Sequence, residues 1–246
     1  MKIKKFKALD ELDILKNYDG ASTNAFLNRE LYEENFDSLY YIKGEKNFYV
    51  LIKRDGYYKM YYYINDLSVN FDAQGTFVSE VVSKEKDLVL ENLGFFLYKT
   101  RVRLRLMKKE AFFSKRVNFL DDADFIYSSL QNFDKYSGER LSMDEVHDRI
   151  KNNLFVGIED IGFIEYKSSA FQDSIEHFYI LPKFRSQGYG SEILKHFIAN
   201  VSKKKRLSVW TYEDSDALRL YKKLGFAEDG LKSYVYIGGN INEGKN

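Results

Sequence analysis

The chain has 246 residues, 44% of them hydrophobic, which is enough for one large core or two small ones. A net charge of +1 offers no field for nucleic acid, and the absence of cysteine excludes disulfides, thiolate metal sites and a cysteine nucleophile. Residues 1–13 are broken by charges and no apolar run is long enough to span a membrane, so neither a signal peptide nor a membrane segment is expected and the expected location is the cytoplasm.

The first half is rich in aromatic strand-like runs such as Tyr57 to Ile64, read as packed sheet surface rather than as a binding face. Asn47-Phe48-Tyr49-Val50 followed by Gly56 is echoed by Asn153-Leu154-Phe155-Val156 followed by Gly162, and Leu93-Gly94-Phe95 by Leu224-Gly225-Phe226. The second pair is spaced more widely than the first, by about a loop, a helix and part of a strand. Residues 1–110 therefore read as a smaller, degenerate copy of the second half, although so aromatic a chain also produces short matches by chance. The charged stretch Lys108-Lys109-Glu110 reads as a linker to a second domain, 111–246.

In that second half, Asp121 to Leu130 predicts a helix with an acidic start, and Ser142 to Lys151 another, with Ser142 and Glu145 at capping-box spacing. Asn153 to Glu159 and Gly162 to Ser168 predict a strand pair about a tight turn, and Ser174 to Leu181 the next strand. A helix comes next through residues 191–201, whose apolar positions 193, 194, 197, 198 and 201 share one face. Arg206 to Thr211 is a strand with Trp210 assigned to the core, Asp214 to Leu224 a helix ended by Gly225, and Tyr234 to Ile237 a last strand. Strands interrupted by helices predict a mixed α/β sheet flanked by helices.

The segment between the third strand and its helix carries the chemistry. Pro182, the only proline, closes the strand, and Arg185-Ser186-Gln187-Gly188-Tyr189-Gly190-Ser191 leads into the helix. Gly188 and Gly190 would let an anion approach bare amides at a helix start, where unpaired N–H groups and the dipole favour phosphate. Arg185 adds charge, and Ser186 and Gln187 add donors. Taken alone, the same glycines also describe an ordinary turn.

Two motifs together resemble the GNAT superfamily of N-acetyltransferases. Arg185-x-x-Gly188-x-Gly190 is similar to its acetyl-CoA signature, and Ala217, Tyr221, Gly225 and Phe226 fit its second motif, with Asp214 where asparagine is usual. The resemblance covers about Phe112 to Ile237. It implies the GNAT fold, here as two tandem GNAT-like domains of which the first has lost the phosphate loop. It also implies acetyl-CoA as donor and direct attack by a primary amine of a small molecule or protein, with no acyl-enzyme. The three histidines, His147, His177 and His196, have no ligand spacing, so no metal is expected.

Within that frame Tyr221 is the candidate general acid, or a packing residue against the cofactor arm. Glu176 is the candidate base, in phase with Phe178 and Ile180, with Glu165 as a second carboxylate. His177 faces the other way unless a bulge re-aims it. The main chain of Ile180 or Leu181 is expected to meet the thioester carbonyl. Lys203 to Arg206 read as a solvated helix end. Acceptor contacts are expected from residues 133–143 and the final residues, with no pattern that fixes a substrate. A non-catalytic acetyl-CoA-binding or protein-interaction module on the same fold is the alternative reading.

Overall fold

The computed structural model describes residues 1–25 and 29–239. They form two compact units. Residues 1–100 join the C-terminal segment from Lys232, and residues 101–231 form the other. Among the described residues no helix is long and apolar enough to cross a membrane.

The first unit contains β1 (Ile3–Lys5), β2 (Ser22–Thr23), α1 (Arg29–Glu34), β3 (Leu39–Lys43), β4 (Phe48–Arg54), β5 (Tyr57–Ile64), β6 (Phe77–Ser83) and α2 (Val89–Asn92). Its sheet runs β1-β3-β4-β5-β6, antiparallel except for β5 and β6, and segment 232–238 pairs antiparallel with β6. The aromatic runs are packed on both faces. Tyr49, Tyr62, Phe71 and Phe77 lie in one core, and Tyr32, Phe48 and Tyr61 in the other, which bears out the reading of these runs as sheet surface.

In the second unit β7 (Phe96–Leu106) contributes residues 101–106, followed by β8 (Asn118–Phe119), α3 (Ala123–Leu130), α4 (Met143–Lys151), β9 (Phe155–Ile158), β10 (Gly162–Ser168), β11 (Gln172–Ile180), α5 (Tyr189–His196), β12 (Arg206–Tyr212), α6 (Asp216–Lys223) and the start of β13 (Ala227–Gly238). The strand order is β7-β12-β11-β10-β9-β8, with only β11 and β12 parallel. The predicted capping box on α4 is complete: Ser142 Oγ accepts from Glu145 N at 3.3 Å, and Glu145 accepts from Ser142 N at 2.8 Å. One face of the sheet buries Ile164, Ile175, Ile193, Phe197 and Tyr221 with α5 and α6, and the other buries Ile126, Val146, Phe163 and Tyr179 with α3 and α4.

The two units share a topology. In each, an antiparallel hairpin leads to a parallel pair, β5 with β6 and β11 with β12. A helix then ends on a left-handed glycine. Gly94 N and Phe95 N donate to Glu91 O and Leu90 O at 3.0 and 2.9 Å, and Gly225 N and Phe226 N to Lys222 O and Tyr221 O at 3.1 and 3.1 Å. The Leu-Gly-Phe echo thus marks equivalent caps. The other echo is displaced by one strand. It equates β4 with β9, whereas the strand before each parallel pairing partner is β4 in one unit and β10 in the other.

Between β5 and β6 the first unit has no counterpart of α5, and the space is filled by its own chain. Those strands pair only at Tyr58↔Phe77 and Lys59↔Val78, and β2 takes up the free side of β5 at Ile64 and Tyr63. Buried Asn24 then bridges the strands. Its amide donates to Ser79 Oγ and Glu80 O at 3.0 and 2.9 Å on β6, and its oxygen accepts from Tyr62 N at 2.9 Å on β5.

Candidate active site

In the second unit the corresponding slot is open. The β11–β12 ladder ends at Ile175↔Val209, and both strands run on beyond it. Beyond that point β11 has no ladder partner on that side, although Ile180 O there accepts from Arg185 Nε at 3.0 Å. At the strand end the pairing of Ile180 with Gly162, together with the 2.9 Å bond from Leu181 N to Ile161 O, assigns each amide. Leu181 N–H is spent on the β10 side, so of the two expected donors only Ile180 points its N–H toward the slot.

The turn after β11 is exposed from Lys183 to Gly188 apart from half-buried Phe184. Ser186 and Gly188 both lie in the left-handed region (φ 60° and 88°) and Gln187 does not, an alternation that aims successive amides into one concavity. A Cβ at Gly188 would meet nothing within 4 Å. Glu192 N takes the first helical bond, to Gly188 O at 3.0 Å, which leaves the amides of Tyr189, Gly190 and Ser191 without partners in the helix. Gly190 serves another purpose than expected. A Cβ there would come within 3.2 Å of the Phe178 ring and 3.5 Å of Ile180, so this glycine seats α5 on β11. Two side chains expected to face an anion brace the turn instead. Gln187 donates to Lys183 O at 2.7 Å, and Arg185 Nε donates to Ile180 O at 3.0 Å with its guanidinium over the Tyr179 ring. The mouth of α5 is anchored by Arg116, which ion-pairs with Glu192 and lies over the Tyr189 ring.

Tyr221 lies on α6 between Phe178 and Phe226, with ring centroids 6.1 and 5.3 Å away, and is buried. Burial pushes its hydroxyl well above the ordinary phenol value, so the group stays protonated. Leu220, the residue before it, is within 3.6 Å of the Gly190 Cβ position. Helices α5 and α6 therefore converge on Phe178.

Residues 151–228 match the model of the acetyltransferase (GNAT) domain. The matched segment lies within the second unit. Solved structures of the same fold include a GCN5-related N-acetyltransferase from Sphaerobacter thermophilus (TM-score 0.56, 10% identity, covering 96% of this chain and 95% of that one). Another is a GNAT-family acetyltransferase from Colwellia psychrerythraea (TM-score 0.54, 11% identity, covering 96% and 99%). A GNAT acetyltransferase from Novosphingobium aromaticivorans has a TM-score of 0.51 and 12% identity, covering 71% and 79%. No curated protein matches the chain. The mixed α/β architecture is thus the GNAT fold.

Other expected residues of the GNAT domain take different places. The α6 cap is Ser215, whose hydroxyl accepts from Leu218 N at 3.2 Å, and Asp214 is exposed in the preceding turn. Trp210 is half-buried rather than core, because alternation turns it away from Val209, and Arg103 covers it with its guanidinium 5.7 Å from the ring.

A bulge in β11 decides where the carboxylates go. Ser168↔Asp173, Lys167↔Ser174 and Tyr166↔Ile175 are in register, and continuing it would set Glu165 against Glu176. The register shifts by one residue, so that Glu165 opposes His177. Glu176 accordingly leaves the face of Phe178 and Ile180. It accepts from Ser174 Oγ and lies 3.8 Å from Lys167 Nζ, on the side of α3 and α4. Glu165 is fully buried and already engaged with Arg149 and with His177, so it does not reach the slot. Among the described residues no group of His, Asp and Glu is placed to hold a metal. Residues 133–143 lie on the α3–α4 face, while the final residues, 240–246, fall outside those described.

Proposed function

We propose that the second unit transfers an acetyl group from acetyl-CoA to a primary amine of a small molecule or protein, by direct attack in a ternary complex. The observation that carries this reading is an open strand slot leading to an exposed turn of left-handed residues at the start of α5, with Tyr221 beside it. The residues fit the donor. The helix start has amides without helical partners and open space at Gly188, and Ile180 N–H points toward the slot. Bound acetyl-CoA would supply an activated acyl carbonyl and a thiol leaving group. The chain's part is to hold the diphosphate on amides 188–191, to hydrogen-bond the acyl carbonyl through Ile180, to accept the amine proton at Glu176 and to keep a proton at the Tyr221 hydroxyl.

A screen of amines and peptides for acetyl-CoA-dependent thiol release tests the reading. Acetyl-CoA binding with no release for any acceptor class would favour the alternative, a binding module. Glu176→Gln is expected to lower kcat/KM by ~100-fold, measured by steady-state kinetics. An unaltered kcat/KM would move the base elsewhere.

The first unit has its slot filled by Asn24 and β2, so calorimetry is expected to give one acetyl-CoA per chain. A stoichiometry of two would refute this.

A further inference from the structure

The connection between α3 and α4 is tied to several strands at once. Ser137 Oγ shares a 2.8 Å hydrogen bond with the Tyr212 hydroxyl at the end of β12, and Arg101 on β7 donates to Ser137 O at 3.0 Å. Asp134 gathers the amides of Tyr136 and Ser137 at 3.0 and 2.9 Å. On β11, His177 Nε2 meets Gly138 O at 2.6 Å, and Phe133 packs edge-on against the imidazole at 4.8 Å. The connection thus crosses from β11 to β12 beyond the point where those strands stop pairing, on the face that also carries Glu176.

His177's two partners fix a proton count. Gly138 O can only accept, so Nε2 must carry a hydrogen. Nδ1 lies 2.5 Å from Glu165 Oε2, and a carboxylate also only accepts. Both contacts can be made together only while a proton lies between Nδ1 and Oε2, on either atom. Both groups are buried, His177 at 5% and Glu165 at 0% exposure. The charged groups around the imidazole are Glu165 from β10, Glu176 from β11, and Arg149 from α4 with Glu145 near it. Asp134 and Glu139 come from the connection itself, and Tyr212 from β12 stands at its far anchor. Burial holds the imidazole below its ordinary value, opposed by the Gly138 carbonyl and by Glu139 and Glu176.

We propose that Glu165 and His177 act as a proton-dependent clamp that positions the α3–α4 connection over the acceptor side of the slot. They are positioning residues, and the word acceptor rests on the transferase reading whereas the clamp does not. The sign comes from the count. Below the pair's titration the shared proton is present and Gly138 is held. Above it, one N–H faces two acceptors, and either Gly138 or Glu165 loses its bond.

Glu165→Gln separates this from simple packing. The carboxamide oxygen can still face Arg149, and its N–H group can donate to Nδ1, so both contacts persist without a shared proton. Histidine nitrogens and the Gly138 and Glu139 amides are followed by NMR from pH 5 to 10 in labelled protein, with exposed His147 assigned by His147→Gln. In the wild type the amides are expected to shift in step with the His177 nitrogens. In Glu165→Gln both are expected to be flat, and in His177→Phe amide exchange over residues 134–139 is expected to rise at least tenfold at every pH. Flat Gly138 and Glu139 signals in the wild type, or an unchanged pH response in Glu165→Gln, would overturn the clamp. With an acceptor in hand, its KM should rise with pH in the wild type and not in Glu165→Gln, while the acetyl-CoA KM stays level in both. Coupled NMR shifts without any acetyl transfer would support the clamp and count against the transferase reading. Transfer with uncoupled shifts would do the reverse.

Discussion

Gly188→Glu is expected to weaken acetyl-CoA binding by ~100-fold or more, measured by calorimetry. A Cβ at this position meets open space, so the fold has no steric reason to fail. The left-handed backbone costs a non-glycine residue ~1–2 kcal/mol. The larger effect is electrostatic. A carboxylate would stand at the helix mouth that is to receive a diphosphate, and two unit charges 4 Å apart near a protein surface repel by ~4 kcal/mol. That alone corresponds to two to three decades in affinity. Gly188→Ala is the matching control, since it carries the backbone cost without the charge and should lose only about tenfold. Native binding by Gly188→Glu would show that the diphosphate lies elsewhere.

The local grammar of the chain was readable because it depends on neighbours in sequence. The Ser142–Glu145 capping box and the Gly225 helix end each need a few residues of particular type at fixed spacing, and both formed as read. What could not be read depends on register. Strict alternation placed Glu176 with Phe178 and Ile180, and the β11 bulge overturned that. A signal was present, since an unbroken hairpin would have set Glu165 against Glu176, and like charges across a ladder are unfavourable. Arg149 and Gly138 come to the same pair from separate segments of chain, beyond the reach of any local pattern.

The same limit explains the first unit. Absence of a phosphate loop is visible as missing sequence. That Asn24 would fill the corresponding slot is not, because its partners at Tyr62, Ser79 and Glu80 are remote in the chain. One unit thus satisfies the edges of its parting strands with its own backbone and an amide side chain, and in the other β11 runs past Ile175 without a ladder partner, only Ile180 O being met there, by Arg185. Buried backbone polar groups are rarely left unpaired, so an open slot in a packed sheet is itself an argument for a ligand.

Tyr221→Phe is expected to lower kcat by ~100-fold while leaving the affinity for acetyl-CoA within about twofold, measured by steady-state kinetics and calorimetry. The ring is held between Phe178 and Phe226, and phenylalanine keeps that packing, so the substitution removes the hydroxyl and little else. A departing thiol titrates near 8.5, roughly, so a phenol must remain protonated to be of use to it at working pH. Burial ensures this by pushing the Tyr221 hydroxyl up, since the phenolate would stand in an apolar surround. The pH dependence has a definite sign. A group with a raised value stays in its proton-donating form as pH climbs, so Tyr221 should add no alkaline limb to kcat through pH 9. Turnover in Tyr221→Phe equal to the wild type would reduce the residue to packing, and an alkaline limb that vanishes in the variant would mean its hydroxyl is solvated during the reaction.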